Sequence, residues 1–194
     1  MSFVYDTATE QARYLARQPL LERAWALRLE LAPGIVFQPE TLESVEDQVV
    51  ETLWAEGKSL DSITAAEESE IRASFGALTP CREFGGLSIT ASLLLGFPAD
   101  ERDHMLGRLQ VFPEQLRLEL QSGVQVAPEV DRGAAGPGDR LPAVLALRYR
   151  IPENGIPVAL VSSHEGASGR FEPMGSWTGW IPAPPHPQPG KMQL

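Results

Sequence analysis

Three histidines and one cysteine are the side chains best suited to proton transfer, metal binding or nucleophilic attack in this 194-residue sequence. His164 stands in Ser162-Ser163-His164-Glu165-Gly166, just after a predicted strand, a place that often carries functional groups. There it would act as a general base. Ser162 or Ser168 would be nucleophile or substrate contact, Glu165 or Glu172 the orienting carboxylate, and Arg170 an anion clamp. The plainer reading of the same residues is a loop that hydrogen-bonds its own backbone. His104 belongs to no His-Glu-x-x-His pair, which excludes the zinc-protease pattern. His186 lies in a proline-rich tail, and Cys81 has no neighbouring His or Asp that would mark a catalytic thiol.

The glycine-rich stretches carry no nucleotide signature. Gly166-Ala167-Ser168-Gly169 lacks the following Lys-Ser/Thr of a phosphate loop, and the run from Gly133 to Gly138 is no dinucleotide fingerprint. Asp100, Glu101 and Asp103 crowd a predicted helix start, where acids complement the dipole rather than hold a metal. Neither a metal nor a cofactor is expected. Trp177 and Trp180, separated by small residues, are the candidate binding residues: they form a stacking or protein-binding surface, or else anchor the chain end onto the core.

Several elements must position these groups. A helix is predicted from about Thr7, interrupted or restarted at Pro19. Leu42, Val45, Val49, Val50, Leu53 and Trp54 fall on one helical stripe, and Gly57 stops that helix. Thr64 and Glu67 have capping-box spacing before a further helix. The pattern changes near residue 80. Leu87 to Leu95 reads as a buried strand, and Pro98 to Leu109 as a helix. Leu116, Leu118 and Leu120 alternate with polar residues, Ser122-Gly123 turns the chain, and Val124 to Val130 reads as the return strand, bent or placed at an edge by Pro128. Leu141 to Ile151, the Asn154-Gly155 turn and Ile156 to Ser162 predict a hairpin. Phe171, Trp177, Trp180 and Ile181 add a last strand or close the core.

The fold expected is therefore α+β. A helical half at about 1–78 packs on a largely antiparallel sheet at about 83–181, forming one domain over 1–181 with a subdomain break possible near 78–86. Residues 182–194 form a disordered tail in which five of the first eight residues are proline.

The net charge of −10 is uneven: residues 40–76 hold ten acids against Lys58 and Arg72. Such a surface repels nucleic acid and anionic membrane. No apolar run reaches the length of a membrane span, no secretory leader is apparent, and the lone cysteine suits a reducing compartment. Together these favour a cytoplasmic, non-enzymatic protein-binding or regulatory protein. Competing readings are a small hydrolase-like enzyme centred on the His164 loop and an acidic mimic of nucleic acid.

Overall fold

The computed structural model describes residues 10–58, 60–83, 85–132, 141–174 and 176–182. In chain order its elements are α1 (Glu10–Ala26), β1 (Leu29–Ala32), β2 (Ile35–Glu40), α2 (Leu42–Ala55), α3 (Ala65–Ser74), β3 (Cys81–Glu83), β4 (Gly86–Leu95), α4 (Arg102–Arg108), α5 (Phe112–Gln115), β5 (Arg117–Leu120), β6 (Gln125–Val126), β7 (Glu129–Asp131), β8 (Val144–Pro152), β9 (Pro157–Ser162) and β10 (Gly169–Phe171). Short 3₁₀ turns lie at Leu60–Ser62, Gly76–Leu78 and Trp177–Trp180. The fold is α+β.

Two antiparallel sheets form. The larger runs β1-β2-β4-β8-β7, with β3 also on β4; the smaller runs β10-β9-β5-β6. A strand has two edges, and β8 takes one edge of β4 from Gly86 to Leu94. β2 and β3 therefore share the other: β2 pairs with residues 90–95 and β3 with residues 86–88.

β4 is buried on both faces, as its apolar composition predicts. Leu87, Ile89, Ala91, Leu93 and Leu95 alternate with Ser88, Thr90 and Ser92, so one face is aliphatic and the other hydroxylic. The aliphatic face meets Leu118 and Leu160 of the smaller sheet in one core. Phe37, Tyr149, Trp177 and Trp180 join it, their ring centroids 5.3 to 6.3 Å apart. Each indole donates to a backbone carbonyl, Trp177 to Leu27 and Trp180 to Thr90, which meets the cost of burying N–H groups.

The hydroxylic face looks toward the helices. α2 buries Val45, Val49, Val50 and Leu53, the centre of the predicted stripe, while Leu42 turns outward. A capping box opens the helix, with the Thr41 hydroxyl accepting from the Ser44 N–H and the Ser44 hydroxyl accepting from the Thr41 N–H. The Thr64–Glu67 box opens α3 as its spacing predicts. Arg17 of α1 bonds Asp47 at 2.6 Å and also Glu51, and Arg23 bonds Glu43 at 2.8 Å. Arg72 bonds Glu46 and Glu68, and Lys58 lies 3.2 Å from Glu56 and 3.7 Å from Glu67. Among the described residues, seven of the ten acids in 40–76 are thus seen in ion pairs.

Several expectations need correcting. The N-terminal half is not purely helical: β1 and β2 form a hairpin that enters the larger sheet. Its turn requires Gly34, at φ +77°, because a Cβ there would meet the Gly96 carbonyl oxygen at 2.6 Å. The strand read through Val124 to Val130 divides between the sheets, β6 pairing with β5 and β7 with β8, and Pro128 stands at the crossing. Asn154-Gly155 does not make a hairpin. It passes the chain from β8 in the larger sheet to β9 in the smaller, and Gly155 has no positive φ. The predicted helix at 98–109 is shorter, at Arg102–Arg108. Of the two readings of the tryptophan segment, Trp177–Trp180 is a 3₁₀ turn packed into the core, and β10 is the last strand among the described residues. The proline-rich tail beyond Pro182 and the run from Gly133 to Gly138 lie outside the described residues. Among the described residues no helix is long and apolar enough to cross a membrane.

Candidate functional site

The divided edge of β4 leaves a gap where β2 ends at Glu40 and β3 begins at Cys81. Around that gap is a cavity of about 610 Å³. Leu20 and Ala24 of α1, with Leu27 just after it, form one wall, and the start of α2 from Thr41 to Ser44 forms another. Pro80 and the segment from Gly179 to Pro182 complete it. Trp180 sits at the back, its indole donating at 2.7 Å to the Thr90 carbonyl at the position where β2 leaves β4. The tryptophan therefore takes up a backbone acceptor at the gap. Leu42 is 53% exposed at the rim, and the Arg23–Glu43 ion pair bridges α1 and α2 beside it. A Cβ built on Gly179 meets no atom within 4 Å. The surface is apolar, and its two charged side chains satisfy each other.

Directly behind the α2 wall lies Glu40, only 3% exposed. Its Oε1 accepts from the Ser92 hydroxyl at 2.6 Å. Its Oε2 accepts from the Ser44 hydroxyl at 2.7 Å and from Gln48 Nε2 at 3.0 Å. Burial raises the carboxyl above the ordinary glutamate range, and the three donors only partly oppose this. Ser44 lines the cavity, so this network stands one side chain away from it.

The residues expected to do chemistry lie elsewhere. His164 is 7% exposed. Its Nδ1 accepts from the Gly166 N–H at 3.0 Å, its backbone N–H donates to the Ser162 hydroxyl at 3.2 Å, and its ring meets Phe112 edge-on at 5.3 Å. Ser162 and His164 are thus brought together, through the backbone of the loop. Glu165 is exposed and pairs with Arg108 at 3.2 Å. Arg170 bonds Glu119 at 2.9 Å and also Glu172, so two carboxylates already occupy its guanidinium. Ser168 is exposed.

Trp177 and Trp180 are 1% and 0% exposed, and their rings pack on Phe37 and on each other. Their segment reaches the cavity through Gly179, the back of Trp180, and Ile181-Pro182. Cys81 is half-buried, with Arg148 Nη1 at 3.9 Å and Glu83 at 3.8 Å. His104 is exposed, and His186 lies outside the described residues. Among the described residues no group of three or more His, Cys, Asp and Glu side chains is placed to hold a metal.

Sequence reasoning did not single out Glu40 or the cavity. Glu40, Ser44 and Gln48 stand four apart, a spacing that aligns polar groups along one side of a helix and its approach. Ser92 is 52 residues away, and no local pattern joins it to Glu40.

No family model matches the chain, and no curated protein sequence does either. Its fold is similar to the crystal structure of a protein of unknown function from Burkholderia pseudomallei, at a TM-score of 0.64 and 14% sequence identity, over 89% of this chain and 94% of that one. At that identity the likeness concerns the fold alone.

Proposed function

We propose that this chain is a non-enzymatic, cytoplasmic protein-binding protein whose cavity at the divided β4 edge receives a large apolar side chain from a partner. One observation carries this reading: the cavity is of ligand-binding size, apolar-walled and flanked by exposed Leu42 and a self-satisfied ion pair. An anchor pocket opening onto a mixed apolar and polar rim is how protein interfaces concentrate their affinity. The His164 loop offers less for catalysis, since Nδ1 is already occupied by the loop's own amide. The acids of 40–76 offer less for charge mimicry, since most are neutralised by arginines and lysine of the same chain.

A titration followed by amide NMR tests the reading. The probes are Gly-Ser peptides bearing a single Leu, Phe or Trp, alongside indole as a small apolar molecule. The expected result is saturable shifts at Ala24, Leu42 and Gly179 with a sub-millimolar midpoint for at least one peptide. Gly179→Leu, which adds bulk where a Cβ has room, should abolish them while leaving thermal unfolding nearly unchanged. Saturation by indole with no response to any peptide would replace a protein partner with a small molecule. No shift with either probe would overturn the reading.

A further inference from the structure

We propose that Glu40 is a proton-operated latch that fastens the first turn of α2 to the larger sheet. Glu40 ends β2, Ser92 belongs to β4, and Ser44 and Gln48 belong to α2, so one carboxyl joins three elements. The Ser44 hydroxyl has two acceptors within reach, Glu40 Oε2 at 2.7 Å and the Thr41 carbonyl at 3.0 Å, but only one hydrogen to give. When Glu40 is ionised, that hydrogen goes to the carboxylate. When Oε2 takes a proton, the new O–H donates to Ser44 Oγ, and the Ser44 hydrogen turns to the Thr41 carbonyl. The proton comes from water, no covalent bond other than O–H changes, and every polar group stays paired in both states. A buried acid that can be satisfied both ways titrates without unfolding its surroundings.

Among the described residues no charged side chain bonds to Glu40. β4 has no charged residue, and β2 has none besides Glu40. On α2, Glu43 faces Arg23, Glu46 faces Arg72 of α3, and Asp47 and Glu51 face Arg17 of α1. On α1, Glu22 accepts from Gln18. Burial therefore dominates, and the folded chain holds the proton above the range in which an unfolded glutamate releases it. The sign follows from linkage. The stability gained from this proton is complete below the ordinary glutamate range and is lost as pH rises through the folded midpoint. Above that midpoint the first turn of α2 is held by charge-assisted bonds; below it, by neutral ones. The latch does not depend on whether the neighbouring cavity binds anything.

The test follows the ¹³C shift of the Glu40 carboxyl and the amide shifts of Thr41 and Ser44 in the full chain, from about pH 4 to about pH 8. In the unsubstituted protein, carboxyl and amides should share one midpoint above the ordinary glutamate range. Ser44→Ala should move the carboxyl midpoint further up, because the carboxylate loses a donor, and should silence the Thr41 response. Glu40→Gln should remove the amide titration and flatten stability across the same pH window. Three results would each overturn the latch: a carboxyl midpoint in the ordinary glutamate range, a Thr41 amide that ignores Glu40, or an undiminished Thr41 response in Ser44→Ala. The Ser44→Ala outcome stands without Glu40→Gln.

Discussion

The two faces of β4 are built from alternate residues of one strand, yet they are held by different physics. On one face Leu87, Ile89, Ala91, Leu93 and Leu95 pack against the smaller sheet with no hydrogen bond required of any side chain. On the other, Ser88 accepts from Arg148 at 2.6 Å, the Thr90 hydroxyl donates to the Leu78 carbonyl, and Ser92 donates to Glu40. The first face tolerates error in direction but not in volume. The second tolerates neither a lost partner nor a lost donor, because each group there was taken out of water. A buried sheet face can thus serve as a core, or as a register of specific contacts that fixes where helices sit.

The largest test of this contrast is Leu93→Ala, on the aliphatic face. It should cost about 2–5 kcal/mol in urea unfolding, with little dependence on pH. An intermediate effect is expected from Arg148→Met. That guanidinium donates to the buried Ser88 hydroxyl and also to the Gly76 and Ala77 carbonyls at 2.9 and 3.3 Å, so its loss takes a donor from the one fully buried acceptor among them, Ser88, at about 1–3 kcal/mol. A loss as large as that of Leu93→Ala would erase the distinction between the faces. The smallest effect belongs to the outer helical surface. Arg72→Met breaks ion pairs to Glu46 and Glu68 that are largely open to solvent, and should cost no more than about 0.5 kcal/mol. That difference should vanish in about 1 M salt.

How much of this was legible in the sequence depended on whether a signal was local. The α2 stripe, the Thr64–Glu67 cap and the Ser122-Gly123 turn, where Gly123 has φ +82°, all rest on neighbours within one or two turns of chain. Leu87 to Leu95 declared itself a buried strand by composition. Asn154-Gly155 announced a turn correctly but could not say which sheet the chain would enter next. The same limit hid the division of Val124 to Val130 between two sheets. The cavity was less legible still: its walls are Leu20, Leu42, Pro80 and Ile181, residue types that carry no chemical signature and are drawn from separate segments. His164 drew attention because its type is reactive, whereas Glu40 matters because of what surrounds it.

The shared edge of β4 has one more consequence. The chain leaves that edge at Glu40, beside Thr90, and rejoins it at Cys81, beside Ser88, only two positions further along the strand. Everything between, including α2 and α3, is an excursion whose entry and exit points nearly coincide. Its length is decoupled from the alignment of the strands. Residues added or removed around the Gly57–Thr64 connection would alter the excursion without sliding β2 or β3 along β4. Changes of length in that connection therefore leave the register of the sheet beneath untouched.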